Sequence, residues 1–351
     1  MHLRPPILGS AVALLAAATV GSTVGVAQAT PSPTANSYAV HKQFADRFFR
    51  AAHVDRSLVN PWGLAQIPGG PLWVANNGTD TATLYTTNFK LPLTVKIPGG
   101  APTGQVFNPT SGFTVSTKRG DKPALFIFSS EAGVISGWSA ASGTMAVQAN
   151  KNDDAIYKGL AISTTGGPAR IYATDFHNGM VDVWDSSWQP VSAPFTDPHL
   201  PAGFAPFGIQ AVGNNIMVSY AKQDADREDD MPGMGNGYLD MFDRDGMFLS
   251  RVASKGPLNS PWGIDVAPSN FGKFSGDVLV GNFGNGIINV FSPTTGRNLG
   301  MLKDSHGKPI VLDGLWGLLN GDGLSAPRNA VIFSAGPMKE MHGLLGYLTA
   351  N

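Results

Sequence analysis

The chain has 351 residues, 42% of them hydrophobic and 14% charged, with 43 glycines, 26 prolines and no cysteine. A formal net charge of −1 supplies no basic field for nucleic acid and no polybasic face for anionic lipid, so neither is an expected partner. The missing cysteines exclude disulfides, thiol catalysis and cysteine metal sites, while low charge and heavy turn content suit an all-β chain stabilised by core burial.

Residues 1–29 read as a cleavable export signal. His2 and Arg4 give a weak positive start, Ile7 to Val26 is apolar and alanine-rich, and Ala27-Gln28-Ala29 supplies a small-x-small cleavage pattern. An uncleaved anchor is the alternative, because an apolar run of that length just spans a bilayer. Its many Ala, Gly, Ser and Thr residues make it a poor anchor. The expectation is a secreted or extracytoplasmic protein without a stable membrane anchor, whose residues 30–351 form one domain.

Residues 34–50, with Tyr38-Ala39-Val40, Phe44 and Phe48-Phe49, read as an extended segment ahead of a series of repeats. The repeated phrase is clearest in Pro61-Trp62-Gly63-Leu64-Ala65 and Pro261-Trp262-Gly263-Ile264-Asp265. Echoes stand at Ser111-Gly112-Phe113, Lys158-Gly159-Leu160-Ala161, Pro206-Phe207-Gly208-Ile209 and Leu315-Trp316-Gly317-Leu318. The glycines 63, 112, 159, 208, 263 and 317 are spaced by about 50 residues, the mark of a propeller or array. After each glycine come a strand, a polar turn, a second apolar strand such as Leu72-Trp73-Val74-Ala75, a small loop, and an alternating strand ending in an aromatic such as Val181-Asp182-Val183-Trp184. These runs are β-branched and aromatic between turn residues, which is strand grammar, and no convincing amphipathic helix follows the signal.

Six units are predicted, at about 59–104, 105–154, 155–203, 204–256, 257–312 and 313–351. The last has three strands, so the spare extended segment at 34–50 is expected to complete it, closing a six-bladed β-propeller and removing an open sheet edge.

In such a ring, the loops entering the first strands and those joining second to third strands meet at one mouth of the central channel, the default place for a ligand. The first set offers Asn60, Asn108, Lys158, Asn259 and Asp313. The second offers Asn76 and Asn77, Glu131, Asp175-Phe176-His177-Asn178, an acidic loop from Gln223 to Asp230, Asn282 and Asn285, and Glu340. Asn76, Asn77, Glu131, Asp175, His177, Asn178, Asn282 and Asn285 are therefore the candidate ligand-binding residues. Asp175, His177 and Glu340 are the candidates for catalysis, since a carboxylate and an imidazole at a channel mouth can hold a metal or exchange a proton. The competing reading is that Asp175 and Asn178 only bond turn amides, and the matching loop Asn282-Phe283-Gly284-Asn285, with Gly at the His position, favours it.

Asp224, Asp226, Glu228, Asp229 and Asp230 are the candidate metal ligands, for a divalent cation such as calcium, which takes oxygen-rich clusters. The glycine and glutamate of an EF-hand loop are missing there, and a charge run is usually a solvated face. A cation held at the channel by Asn76, Asn282 and Glu340, in the manner of propeller lactonases, is a further alternative, although amides predominate. No Gly-x-Ser-x-Gly, His-Glu-x-x-His or phosphate-loop motif occurs. Trp62, Trp262 and Trp316 share one repeat position, so packing between blades is their expected role.

Through Asn60-Pro61-Trp62-Gly63-Leu64-Ala65, Trp73-Val74-Ala75-Asn76-Asn77-Gly78-Thr79, Asp175-Phe176-His177-Asn178-Gly179 and Asp313-Gly314-Leu315-Trp316-Gly317-Leu318, the chain resembles an uncharacterised family of exported bacterial propellers, distantly similar to NHL-repeat propellers. The resemblance implies six blades outside the cytoplasm and brings no established activity. Some relatives carry a C-terminal sorting tail. This chain ends at Leu348-Thr349-Ala350-Asn351, and free secretion is expected. The leading expectation is a monomeric binding propeller for a small molecule, glycan or peptide. The alternatives are a metal-dependent hydrolase or lyase of the lactonase-like kind and a protein-interaction scaffold.

Overall fold

The computed structural model describes residues 36–47 and 50–351; the signal expected at 1–29 and Phe48-Phe49 lie outside them. Six antiparallel sheets follow one another along the chain as the six blades of an all-β propeller. Blade 1 runs inside to outside as Pro61–Gln66, Leu72–Asn76, Thr81–Tyr85 and Lys90–Lys96. Blades 4 and 5 repeat that four-stranded meander, and blade 3 has three strands, Tyr157–Ser163, Arg170–Asp175 and Met180–Asp185. Blade 6 joins Leu315–Asn320, Ala330–Ala335 and Leu344–Ala350 to Tyr38–Ala45, paired antiparallel from Tyr38↔Ala350 to Ala45↔Leu344. The first strand of the described residues thus completes the last blade, as the missing fourth strand predicts. Pairing both edges leaves no open sheet at the join.

Blade 2 departs from the expected register. Its inner strand is Pro102–Phe107, so its repeat glycine is Gly104 and not Gly112. The Ser111-Gly112-Phe113 echo instead leads into an inserted hairpin, Thr114–Thr117 with Gly120–Pro123. Asn108 consequently lies past the far end of the inner strand, bonding Thr110 and the carbonyls of Gly112 and Ala124, and does not face the mouth. With Gly104 restored, four inner strands carry Pro-x-Gly, three of them at their first residue: Pro61-Trp62-Gly63, Pro102-Thr103-Gly104 and Pro261-Trp262-Gly263, with Pro206-Phe207-Gly208 two residues into the strand Phe204–Val212.

The glycine is required by how tightly the inner strands converge. A Cβ on Gly63 would stand 2.5 Å from the Thr103 carbonyl oxygen, one on Gly317 would stand 2.6 Å from that of Trp62, and one on Gly208 would collide with the Trp262 carbonyl. Real side chains do not approach backbone so closely. The channel between the strands is accordingly reduced to about 40 Å³. Hydroxyls then tie blade to blade: Ser219 accepts the Gly208 amide at 3.0 Å and donates to the Pro261 carbonyl at 2.6 Å. Thr174 does the same between Gly159 and Phe207, and Ser334 between Gly317 and Trp62.

Two consequences are measurable. Gly208→Ala overpacks an interblade contact of backbone against backbone, with an expected cost of about 1–3 kcal/mol; at about 2–4 °C per kcal/mol, calorimetry should show a fall in Tm of several degrees. Asp265, on the inner strand of blade 5, has one buried oxygen without a partner, and burial pushes its carboxyl up to about 7. A carboxyl whose folded pKa is raised stabilises the fold at low pH and loses that contribution as pH rises from its unfolded value of 3.8 toward 7. Asp265→Asn should therefore raise Tm at pH 8 and flatten the Tm profile between pH 4 and 7.

Candidate functional site

The x of Pro-x-Gly and its equivalents points toward the channel axis just below the mouth. Trp62, Phe207, Trp262 and Trp316 fill four of the six positions and pack with Phe176 and Phe283 into an aromatic plug. Trp316 is sandwiched between Trp62 at 3.5 Å and Phe283 at 3.9 Å between ring centroids, with Trp262 edge-on at 5.6 Å. The tryptophans are buried, so they pack between blades as expected and present no face to a ligand. The fifth position is Thr103. The sixth is Lys158, whose side chain is 2% exposed with its ammonium 5.6 Å from the Trp62 ring centroid.

An ammonium at the head of an aromatic plug needs compensation, and the loops above provide it. Lys158 donates to Glu131 at 2.5 Å and to Asp229 at 3.0 Å. Burial alone would lower its pKa, but the two carboxylates outweigh that and hold it raised. The other Glu131 oxygen accepts from the Asn77 amide at 2.9 Å, and Asn77 in turn accepts from Asn60 at 3.2 Å. Asn60 also donates to Glu340 at 2.6 Å and accepts from the Trp316 indole at 3.0 Å. One polar arc thus crosses the mouth through blades 6, 1, 2, 3 and 4: Glu340, Asn60, Asn77, Glu131, Lys158, Asp229. Three carboxylates face a single ammonium. Burial, together with the charges of Glu131 and Asp229, raises the Glu340 carboxyl, against the lowering effects of Asn60 and Lys158.

Glu340 reaches this position by way of backbone strain. Met338, Lys339 and Glu340 have φ of 59°, 55° and 64°, three consecutive non-glycine residues in the left-handed region. Such residues cost about 1–2 kcal/mol each, and strain of this kind concentrates at functional sites. The turn is pinned by Asp313 accepting the Met338 amide and by the Glu340 amide donating to the Gly336 carbonyl.

Of the residues nominated from sequence, Asn77, Glu131, Asp229 and Glu340 come together. Asn76 is fully buried, donating to Thr81 and Thr83 inside blade 1. Asn282 donates to the Pro257 carbonyl and Asn285 and accepts the Asn259 amide. Asp175 accepts the Ile156 and Asn178 amides and the Asn178 side chain, which also donates to the Asp154 carbonyl. These are turn-amide roles. His177 is half-buried with its Nδ1 unpartnered, its backbone carbonyl accepting from Gln223. In the acidic loop, Asp224 accepts the Glu228 amide within its own turn, Asp226 and Glu228 are exposed, and Asp230 turns inward, where burial lifts its carboxyl to about 6. Among the described residues no three His, Asp or Glu side chains converge as a metal set. Lys158 and Asn60 were named from sequence only as loop residues. The signal that marks Lys158 is its place in the Pro-x-Gly register, where it alone of six is charged.

The fold and this mouth define a six-bladed propeller whose channel is plugged by aromatics and roofed by a charged arc. No family model matches the sequence. The chain belongs to the same family as two uncharacterised proteins of Acanthamoeba polyphaga mimivirus: R648, 32% identical with 90% of this chain and 81% of that protein covered, and L690, 32% identical with 91% and 87% covered. These relatives are viral, so the expected restriction to bacteria is not supported. A solved structure described as a candidate gluconolactonase superposes with a TM-score of 0.54 over 84% of this chain and 89% of its own at 11% identity, a likeness of fold alone.

Lys158→Met leaves Glu131, Asp229 and Glu340 facing one another without a cation. Their ionisation then opposes folding, so stability at pH 7 should fall and return as pH is lowered toward 4. The expected loss is about 1–3 kcal/mol, less than for a fully buried pair because Asp229 is largely exposed. Melting curves of the variant at both pH values check the sign.

Proposed function

We propose that the chain is an exported binding propeller that holds a small, donor-rich ligand, an amino- or polyhydroxy compound, at the channel mouth. The carrying observation is the left-handed turn at Met338–Glu340, which sets a third carboxylate into an arc containing one ammonium. An arc with surplus acceptor oxygens and surplus negative charge favours ammonium and hydroxyl donors over anions. Lys158 spends two of its three N–H donors on carboxylates and has a raised pKa, which suits a fixed charge and disfavours an amine nucleophile. Of the residues nominated for a lactonase-like hydrolysis, Asp175 and Asn282 are engaged in their own turns and Glu340 accepts from Asn60 within the arc, which leaves His177 alone with an unpartnered Nδ1; binding is therefore the better-supported reading.

Glucosamine, glucose and glucuronate share one ring and differ in charge, so thermal shift and calorimetric titration with the three separate the possibilities. Glucosamine should stabilise the protein most, glucose less and glucuronate not at all, and Glu340→Gln should weaken glucosamine binding about tenfold, one charge-assisted hydrogen bond or ~1.4 kcal/mol. Equal or preferential binding of glucuronate, or no response to any of the three, would count against the proposal. Export rests on the apolar run Ile7 to Val26 and the Ala27-Gln28-Ala29 pattern. N-terminal sequencing of the protein recovered from the medium of an expressing culture should begin at Thr30.

A further inference from the structure

Blade 3 stops at its third strand, and a groove of about 370 Å³ lies along that strand's outer edge, between Asn150 and Asn152 of blade 2 and the segment Pro190 to Ala193. The chain begins a fourth strand there and abandons it. The Asp185 amide donates to the Gln189 carbonyl and the Val191 amide to the Val183 carbonyl. The chain then crosses to blade 4, where the Phe195 amide donates to the Gly246 carbonyl. Blade 5 displays what is left open. Its Ile288 occupies the position of Val181, and the Ile288 carbonyl accepts the Leu302 amide at 3.0 Å just beyond the fourth strand, Asn298–Met301. Among the described residues, no such partner serves the outward amide and carbonyl of Val181 or the outward amide of Val183. A row of unpaired edge groups inside a groove is the template for strand addition.

The groove also has a charge preference. Asp182 lies beside the open edge, accepting the Tyr157 hydroxyl at 2.6 Å. Its charge-bearing neighbour is Asp175, another carboxylate, and no Lys or Arg is paired with it. Burial, with Asp175, raises its carboxyl. A half-buried carboxylate without a cation is costly, and a guest strand carrying Lys or Arg opposite it would supply the missing charge.

We infer that this groove binds an extended peptide with a basic residue, which adds antiparallel to Met180–Val183 as the fourth strand of blade 3 and sets its cation against Asp182. Backbone pairing to the amide and carbonyl of Val181 and to the Val183 amide gives the grip, and Asp182 reads the basic side chain. The site is on the flank of the propeller and is independent of the mouth.

Fluorescence anisotropy with a labelled heptapeptide alternating Thr and Val around a central Lys tests it, beside the same peptide with a central Glu. The wild-type protein should bind the Lys peptide saturably and at least tenfold more tightly than the Glu peptide. Asp182→Asn should erase that preference while keeping the Tyr157 bond. Val181→Pro removes an outward amide, leaving the inner ladder intact, and should abolish binding of both; circular dichroism and melting confirm that each variant is folded. No saturable binding, equal affinity for the two peptides, or undiminished binding by Val181→Pro would overturn the inference. So would binding that appears only after residues 30–35 are removed, which assigns the groove to the protein's own N-terminal segment. A peptide that splits a dimer seen by light scattering would overturn it as well, assigning the groove to a second copy.

Discussion

The ring is held by an approach of backbone to backbone, where the glycine of each inner strand meets the main chain of the next blade. Any side chain there would hold the strands apart, as the Cβ positions at Gly63, Gly208, Gly263 and Gly317 make plain. Ser219, Thr174 and Ser334 convert that proximity into hydrogen bonds that run from one blade to the next. A ring this tight has almost no lumen, and what remains at its upper end is filled by the Trp62, Trp262, Trp316 and Phe207 side chains. The binding surface proposed for this chain thus lies at the rim of the channel and not inside it, a position that follows from how the blades are spaced.

That spacing was largely legible in the sequence because it is enforced by glycine, a residue with no substitute at such contacts. The count of six, the meander within each unit and the closure of blade 6 by Tyr38–Ala45 follow from repeat arithmetic and from the penalty on an open edge. Blade 2 misleads because the hairpin between Thr114 and Pro123 carries its own Ser-Gly-Phe echo, close to where an evenly spaced repeat would put one. An even period is a weaker guide than chemistry. Pro-x-Gly at 102–104 has the proline that opens the strand and the glycine that permits approach to Leu160, and Gly112 has neither role.

The site was legible only in part, for a reason visible in its amides. Asn76, Asn178, Asn282 and Asp175 occupy mouth loops, yet each satisfies backbone or side-chain groups of its own turn, and that demand is identical whether or not a ligand exists. Sequence cannot separate a polar residue consumed by its loop from one left facing outward. Glu131 and Glu340 differ because they are long, charged and irregular within the repeat. Their partners lie 27 and 280 positions away in the chain, at Lys158 and Asn60, and only ring closure brings the second pair together.

Charge and strain at the mouth point the same way. A fold free to minimise its energy would place a hydrophobic residue at position 158, like the four aromatics around it, and would let Met338 to Glu340 relax to ordinary φ values. Instead the chain buries an ammonium against Trp62, answers it with Glu131 and Asp229, and then adds Glu340 through three left-handed residues. Two carboxylates already balance and exceed the one cation, so Glu340 brings no further compensation to Lys158, and its own carboxyl is raised by burial and by its acidic neighbours. An arrangement that lowers stability at three consecutive backbone positions to bring in a charge the fold does not need is best understood through what approaches from outside. The carboxylates of the arc present acceptor oxygens at a rim that the aromatic plug keeps from collapsing inward, and a donor-rich ligand would complete there the balance the protein leaves unfinished.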